Sequence, residues 1–350
     1  MIPERYHGVN SGLSAGKSGV VPWGMIDVGS GMSIISRHDE SREAAGLGES
    51  VSLGPALLRT MRPRQWIKNL VVLSPLFFTV NEAWRLSDLT TGAEFLARSV
   101  AAFAIFSAVS GAVYIVNDIA DVENDRLHPR KKRRPIAAGH LASGPAATAA
   151  AALIIVSLGA AFALEPQLGG VALGYVLTMI AYSWVLKSII LVDVIAISAG
   201  FVLRVVAGAA ALDVPISIWL YICTGLGALF IALSKRRSEL AVAGELAAQQ
   251  RRLLGSYSLG RLDQLITVVA ASALIAYSVY TLTASNLPDN STMMLTIPFV
   301  AYGLFRYMYL VRVRDRGENP EEVVITDLPM ILTIVLWVFA GASILVAFRG

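Results

Sequence analysis

Cysteine is nearly absent. The 350 residues hold one, Cys223, which excludes a disulfide framework and any zinc or iron–sulfur site built from cysteines. Charge is scarce as well. Asp, Glu, Lys and Arg make up 15% of the chain, where a soluble domain carries about 25%, so too little polar material is left to coat a water-facing surface. The h-region of a signal peptide is also missing from the start of the sequence. Apolar residues fill the gap, at 55% of the chain with a mean hydropathy of +0.62. Two soluble domains would be ordinary for this length, but the composition instead describes an all-α, polytopic membrane protein. The formal charge is only +4, and no nucleic-acid partner is expected.

From about residue 66 onward, long apolar runs alternate with short polar breaks. A helix needs about 20 mostly apolar residues to cross a bilayer. Nine segments qualify: 66–80, 95–116, 141–163, 168–186, 189–211, 216–233, 264–284, 293–311 and 330–348. The first is short and is expected to begin earlier, with Arg62 and Arg64 at the membrane interface. Lys and Arg in the connections set the orientation. With the N-terminus inside, inner loops carry sixteen and outer segments two, counting Arg349 after the last span. The expected topology is therefore N-terminus cytoplasmic and C-terminus outside, in the inner membrane. Two inner connections, 117–140 and 234–263, are long and densely charged, so chemistry is expected on that face.

Residues 1–55 are rich in Gly and Ser with scattered charges and no sustained period. They are expected to form a disordered cytoplasmic tail, ahead of a single membrane domain over 56–350. Within them SGLSAGKSG superficially resembles a phosphate loop. The glycine required five residues before that of GKS is replaced by Ser11, and no strand precedes it.

The second span runs out into VYIVNDIADVENDRLHPRKKRRPIAAGHL. Asn117, Asp121 and Asp125 are spaced i, i+4, i+8, which stacks them on one face of a helix, with Asp118 at the edge of the stripe. Carboxylates so spaced repel one another unless a cation lies between them. Hard oxygen ligands in this number suit Mg²⁺, which uses one or two carboxylates and completes its shell with substrate phosphate and water. The basic run Arg130, Lys131, Lys132, Arg133, Arg134 follows. Alone, such a run reads as a topology signal or a contact to anionic lipid. Beside an acidic stripe it also suits the oxygens of a metal–diphosphate.

NDIADVEND resembles the first Asp-rich motif, NDxxDxxxD, of the UbiA superfamily of intramembrane prenyltransferases. The likeness runs from MRPRQWIKNL to about residue 255 and is looser in the last three spans. It implies about nine helices around a cavity open to the cytoplasm. The ordinary members have a second Asp-rich motif at the end of span six, which helps bind an isoprenyl diphosphate through a second Mg²⁺. This chain reads SKRRSEL there, and one carboxylate among three cations is no second metal cradle. The stretches RPRQWIKN, YIVNDIADVENDRLHPRKKRRPIAAG, FVLRVVAGAA and SKRRSEL are instead similar to the branch that joins phosphoribosyl pyrophosphate (PRPP) to a polyprenyl phosphate such as decaprenyl phosphate. That reaction starts the route to a lipid-linked arabinofuranosyl donor for cell-wall arabinan or other arabinosylated glycans, nodulation signals included.

Carried over to this sequence, the resemblance implies Mg²⁺ on Asn117, Asp118, Asp121 and Asp125, with those aspartates as the catalytic set. Lys68 and some of Arg130, Lys131, Arg133 and Arg134 would neutralise the diphosphate. Lys235, Arg236 and Glu239 would take the 5-phosphate, the ribose hydroxyls or the lipid phosphate, and the residues alone do not divide those roles. Tyr182 and Lys187, at the inner end of span four, are candidate substrate contacts or an interfacial pair. Trp66 reads as part of the interface belt. In span five, Asp193 and Arg204 lie about 16 Å apart along the axis and cannot pair with each other. Arg204 is expected either to find a structural partner on a neighbouring helix or to meet substrate phosphate. Two other functions compete: aromatic prenyl transfer from an isoprenyl diphosphate, and non-enzymatic transport. Transport would need polar residues through the outer half of the bundle, and the outer turns offer no vestibule.

Overall fold

The computed structural model describes residues 53–128, 130–215, 217–243, 257–313, 323–324 and 326–349. The expected tail lies outside these residues as far as 52, as do 244–256 of the second long loop. What is described is almost wholly helical. Among the described residues no strand forms, and a single bridge joins Val80 to Trp84.

A short helix α1 (Leu53–Thr60) opens the described chain, with Pro55 in its first turn, where no intrahelical N–H is needed. A 3-10 stretch (Pro63–Leu73) then runs into α2 (Ser74–Phe78). The expected first span is therefore no regular α-helix. Prolines at 63 and 75 each remove a backbone donor near the start of a segment. Next come α3 (Leu89–Ala120), α4 (Val122–Leu127), α5 (Ser143–Leu164), α6 (Pro166–Trp184), α7 (Val192–Leu212), α8 (Ile218–Ala243), α9 (Leu259–Thr283), α10 (Ile297–Val313) and α11 (Leu328–Phe348).

Seven of these are long and apolar enough to cross a membrane: α3, α5, α7, α8, α9, α10 with its leading 3-10 turn, and α11. The expected count of nine is not reproduced. The first span is broken, and α6, though 19 residues long, falls outside the seven.

Two boundaries shift for reasons that bear on the site. The α3 helix starts six residues before 95 because the Asp88 carboxylate accepts from the N–H groups of Thr90 and Thr91, at 3.1 and 3.2 Å. Arg98 then pairs with Glu165 at 3.1 Å, so the polar first turns are anchored. The α8 helix runs ten residues past 233 and carries SKRRSEL as helix rather than loop.

Consecutive helices pack side by side from α5 to α9, with α3 against α5, α6 and α7. The 3-10 stretch lies against α3 and α7. Its approach to α7 is backbone to backbone, since a Cβ on Gly208 would sit 2.0 Å from the Val72 carbonyl oxygen. The last helix meets the first segment through aromatic contacts, with Trp337 6.3 Å from Phe77 and 6.4 Å from Phe78, ring centre to ring centre. Large apolar side chains such as Ile155, Leu177, Val268, Ile275 and Phe339 stay exposed on the outer faces of the helices, as lipid-facing residues do.

Candidate active site

The acidic stripe does not lie on one continuous helix. Asp121 ends α3 and begins α4, with φ −101° and ψ 3°, so the chain breaks in the middle of the motif. On the near side Asp118 is buried at 2% exposure, and on the far side Asp125 at 3%. Both turn to the same cation. Arg134 Nη1 lies 3.1 Å from Asp118 Oδ1 and 2.6 Å from Asp125 Oδ2. A second guanidinium, Arg62, bonds Asp118 Oδ1 as well. Asp121 is half-buried and pairs with Lys187, while Asn117 donates to its other oxygen at 3.1 Å.

Arg134 can reach back because the loop is folded inward. Ile136 and Leu141 are buried against Ala56, Ile115, Ala146 and Ala150. Ahead of them the 3-10 turn Lys131–Arg133 stands clear of the core. Arg130, Lys131, Lys132 and Arg133 are accordingly exposed, while Arg134 is half-buried and turned to the aspartates. His128 starts the turn, its Nδ1 accepting from the N–H groups of Arg130 and Lys131 at 3.2 and 3.3 Å. Burial and the nearby Lys131 hold its pKa below the ordinary histidine value, which keeps the imidazole neutral and that acceptor intact.

Arg62 sits at the junction of α1 and the 3-10 stretch with φ 54°, and its guanidinium lies 5.0 Å over the Tyr114 ring. The sequence expectation left it at the membrane interface. It is partly buried and bonds a carboxylate 56 residues away along the chain. Trp66 is half-buried, and its indole N–H donates to the Met61 carbonyl at 3.3 Å, bracing the same junction.

A second polar cluster adjoins the first. Asp193 is fully buried, and its Oδ2 accepts from Arg236 Nε at 2.7 Å. Arg236, 3% exposed, also bonds Glu239 and lies 3.5 Å from the Tyr182 hydroxyl. Tyr257 donates to Asp193 Oδ1 at 3.0 Å and accepts the N–H of Leu191 at 2.9 Å. Burial pushes the Tyr257 phenol up to about 12, so it keeps the proton it donates. Tyr182 and Lys187, on one six-residue stretch at the end of α6, touch the second and the first cluster respectively. The stretch 182–187 therefore links the two clusters.

The donor chemistry fits a divalent cation. Three aspartates and an amide oxygen are hard ligands, and one Arg134 nitrogen already occupies the position between two of them. Among the described residues no ready cage of three His, Cys, Asp or Glu side chains is formed, because each aspartate faces a protein cation instead.

Residues 89–334 match the UbiA prenyltransferase family. The chain belongs to that family. Decaprenyl-phosphate phosphoribosyltransferase of Mycolicibacterium smegmatis is 31% identical over 323 residues, covering 89% of this chain and 99% of its own. The enzyme of that name from Mycobacterium tuberculosis is 32% identical over 294 residues, covering 84% and 95%. Among solved structures, a UbiA homolog from Archaeoglobus fulgidus bound to GPP and Mg²⁺ superposes with a TM-score of 0.62. It covers 83% of this chain and 99% of its own at 18% identity, a likeness that speaks for the fold.

In this UbiA-family chain Arg204 is not part of the cluster. It is 5% exposed, and its three nitrogens donate to Asn69 Oδ1 at 2.7 Å, the Gly200 carbonyl at 2.8 Å and the Tyr175 hydroxyl at 2.8 Å. Asn69 in turn donates to Ser107 and Ser110. Of the two readings of Arg204, the structure carries the structural one: its donors are engaged by protein acceptors that tie the 3-10 stretch, α3, α6 and α7 together. Lys68 is half-buried beside Asn69, and Lys235 half-buried beside Arg236. Arg237 leaves the site altogether, its Nε on Asp263 at 2.9 Å. Sequence reasoning missed Arg62, Tyr257 and the role of Asp193. For Arg62 a signal existed, since the RPR run precedes a segment too short to span.

Replacing Arg134 by Ala takes from Asp125 the cation that faces it and leaves Asp118 to Arg62. A buried carboxylate deprived of its partner costs roughly 3 kcal/mol, so thermal unfolding in detergent should fall by several degrees. Arg134→Lys, which reaches one carboxylate but not two, should fall between. An unchanged Tm for Arg134→Ala would contradict the shared-cation arrangement.

Proposed function

We propose that the chain transfers 5-phosphoribose from PRPP to a polyprenyl phosphate, giving polyprenylphosphoryl-5-phosphoribose and diphosphate. The observation that carries this reading is the pairing of an acidic, cation-shared first motif with a second motif in which Arg236 is tied to Asp193 and Glu239. The first suits a metal–diphosphate. The second has no Asp-rich cradle for another metal. Two relatives that match nearly their whole length carry the name decaprenyl-phosphate phosphoribosyltransferase, and the same substrates are proposed here.

Asp118, Asp121 and Asp125, with Asn117, would hold Mg²⁺, which supplies charge neutralisation for the departing diphosphate. Arg134, Arg62 and Lys187 then turn from the aspartates to anionic oxygens, and the exposed Arg130, Lys131 and Arg133, with Lys68, add positive charge at the mouth. The lipid phosphate, already ionised, needs no general base. Its oxygen attacks C1 of PRPP, the bond from C1 to the diphosphate breaks, and configuration inverts to the β product. Catalysis is positioning and electrostatics.

Membranes given radiolabelled PRPP and decaprenyl phosphate should move label into the lipid phase in the presence of Mg²⁺. Asp121→Asn should reduce transfer at least 100-fold, in line with loss of a charged group that acts on the transition state. Turnover of an isoprenyl diphosphate with an aromatic acceptor instead, or an α-anomeric product, would contradict the proposal.

The chain is a multi-pass membrane protein. The bias of sixteen basic residues to two supports an inner-membrane orientation with the N-terminus and this site at the cytoplasm, where PRPP is found, and the C-terminus outside. A fluorescent protein fused to the N-terminus should glow, and alkaline phosphatase fused after the C-terminus should be active. Both reporters on the same side would overturn this topology.

A further inference from the structure

The SKRRSEL segment brings three cations and one carboxylate and reads, by itself, as a phosphate site. The structure cancels that charge. Arg237 is directed to Asp263, which is also ion-paired with Arg312 at 2.9 Å. Arg236 is held between the buried Asp193 and Glu239. Arg236, Asp193 and Glu239 together are formally −1, and Lys235, one turn from Glu239 on the same helix, only brings the group to zero. Among the described residues of this group a second phosphate would meet no net positive charge. A neutral ligand with hydroxyl groups would meet a carboxylate able to accept and a phenol O–H able to donate, the Tyr182 oxygen being the acceptor in its 3.5 Å contact with Arg236.

We propose that Glu239 and Tyr182 form the subsite for the sugar hydroxyls of the donor, held in place through Arg236 and Asp193 by Tyr257. This rests on the phosphoribosyl-transfer reading above and divides the donor between the two clusters. The diphosphate goes to the aspartates and the ribose hydroxyls to Glu239 and Tyr182. The contiguous stretch 182–187, with Tyr182 at one cluster and Lys187 at the other, spans the two halves.

Tyr257 is a positioning residue, not a contact. It stands just ahead of α9, and its hydroxyl takes the N–H of Leu191, whose φ of 63° and ψ of −33° place it in a conformation that side-chain-bearing residues rarely adopt. The same hydroxyl fixes one oxygen of Asp193, leaving the other to Arg236 Nε. The order of the relay is thus Leu191 turn, Tyr257, Asp193, Arg236, then Glu239 and Tyr182. The Tyr257 ring packs among Val194, Phe230, Leu262 and Ile266, so Tyr257→Phe removes the hydroxyl and keeps the packing.

The test compares PRPP with its 2-deoxy analogue as donors, using the full chain in detergent with decaprenyl phosphate as acceptor. A site that hydrogen-bonds a hydroxyl should reject the deoxy donor by roughly 100-fold or more in kcat/KM. Glu239→Gln and Tyr182→Phe should each shrink that ratio about tenfold, with the KM for the lipid unchanged. Tyr257→Phe should shrink it about threefold to fivefold, in line with one lost hydrogen bond acting at a distance. The ratio is read on one preparation, so loss of folded protein does not move it. An unchanged ratio in Glu239→Gln and Tyr182→Phe overturns the subsite, and an unchanged ratio in Tyr257→Phe overturns the relay. Absence of any PRPP turnover by the unaltered chain overturns the functional reading and this inference with it.

Discussion

Two carboxylates buried on either side of a helix break need cations beside them, and the surrounding structure supplies these from distant parts of the chain. Asp118 and Asp125 share Arg134, and Asp118 adds Arg62. Burial of an unpaired charge in a low-dielectric interior costs several kcal/mol, so these contacts constrain much of the architecture around them. Arg62 holds the end of α1 against α3. Arg134 draws the 128–142 loop over the break, where Ile136 and Leu141 lock it. Lys187 brings the end of α6 to Asp121. Asp118, Asp121 and Asp125 stand against Arg62, Arg134 and Lys187, so the charges of the cluster are close to balance.

The remainder of the bundle isolates that assembly. Arg204 and Asn69 form a separate, fully engaged polar tie between the 3-10 stretch and α7, while Gly208 lets those two backbones touch. The irregular first segment thereby gains a fixed seat despite lacking the continuous hydrogen bonding of an α-helix. Without such a seat Arg62 would have no defined place beside Asp118.

Much of this was legible in the residues. Hydropathy alone located the spanning helices, since a bilayer demands long apolar runs whatever the details of packing. The motif NDIADVEND singled out Asp118, Asp121 and Asp125, which the structure sets against Arg134 and Lys187. What escaped the sequence depended on partners far along the chain. The first turns of α3 are too polar to count as membrane, yet Asp88 and the Arg98–Glu165 pair hold them helical. Span six ended, by hydropathy, at 233, while the helix continues, its two arginines paired with Asp193, Glu239 and Asp263. Five basic residues in a row look equivalent, and only the anchoring of Ile136 and Leu141 decides that Arg134 is the one facing inward. Asp193 looked like a lone charge in a span, because its partners Arg236 and Tyr257 lie 43 and 64 residues on.

We propose that the aspartates and Arg134 form one device, closed on itself in the free protein and opened by a metal–diphosphate. A structure of the protein determined with PRPP and Mg²⁺ tests it most directly. The account predicts that the Arg134 guanidinium leaves Asp118 and Asp125 and bonds diphosphate oxygens, with Mg²⁺ on the aspartates. Arg134 still bridging both carboxylates, with PRPP bound elsewhere, would contradict it.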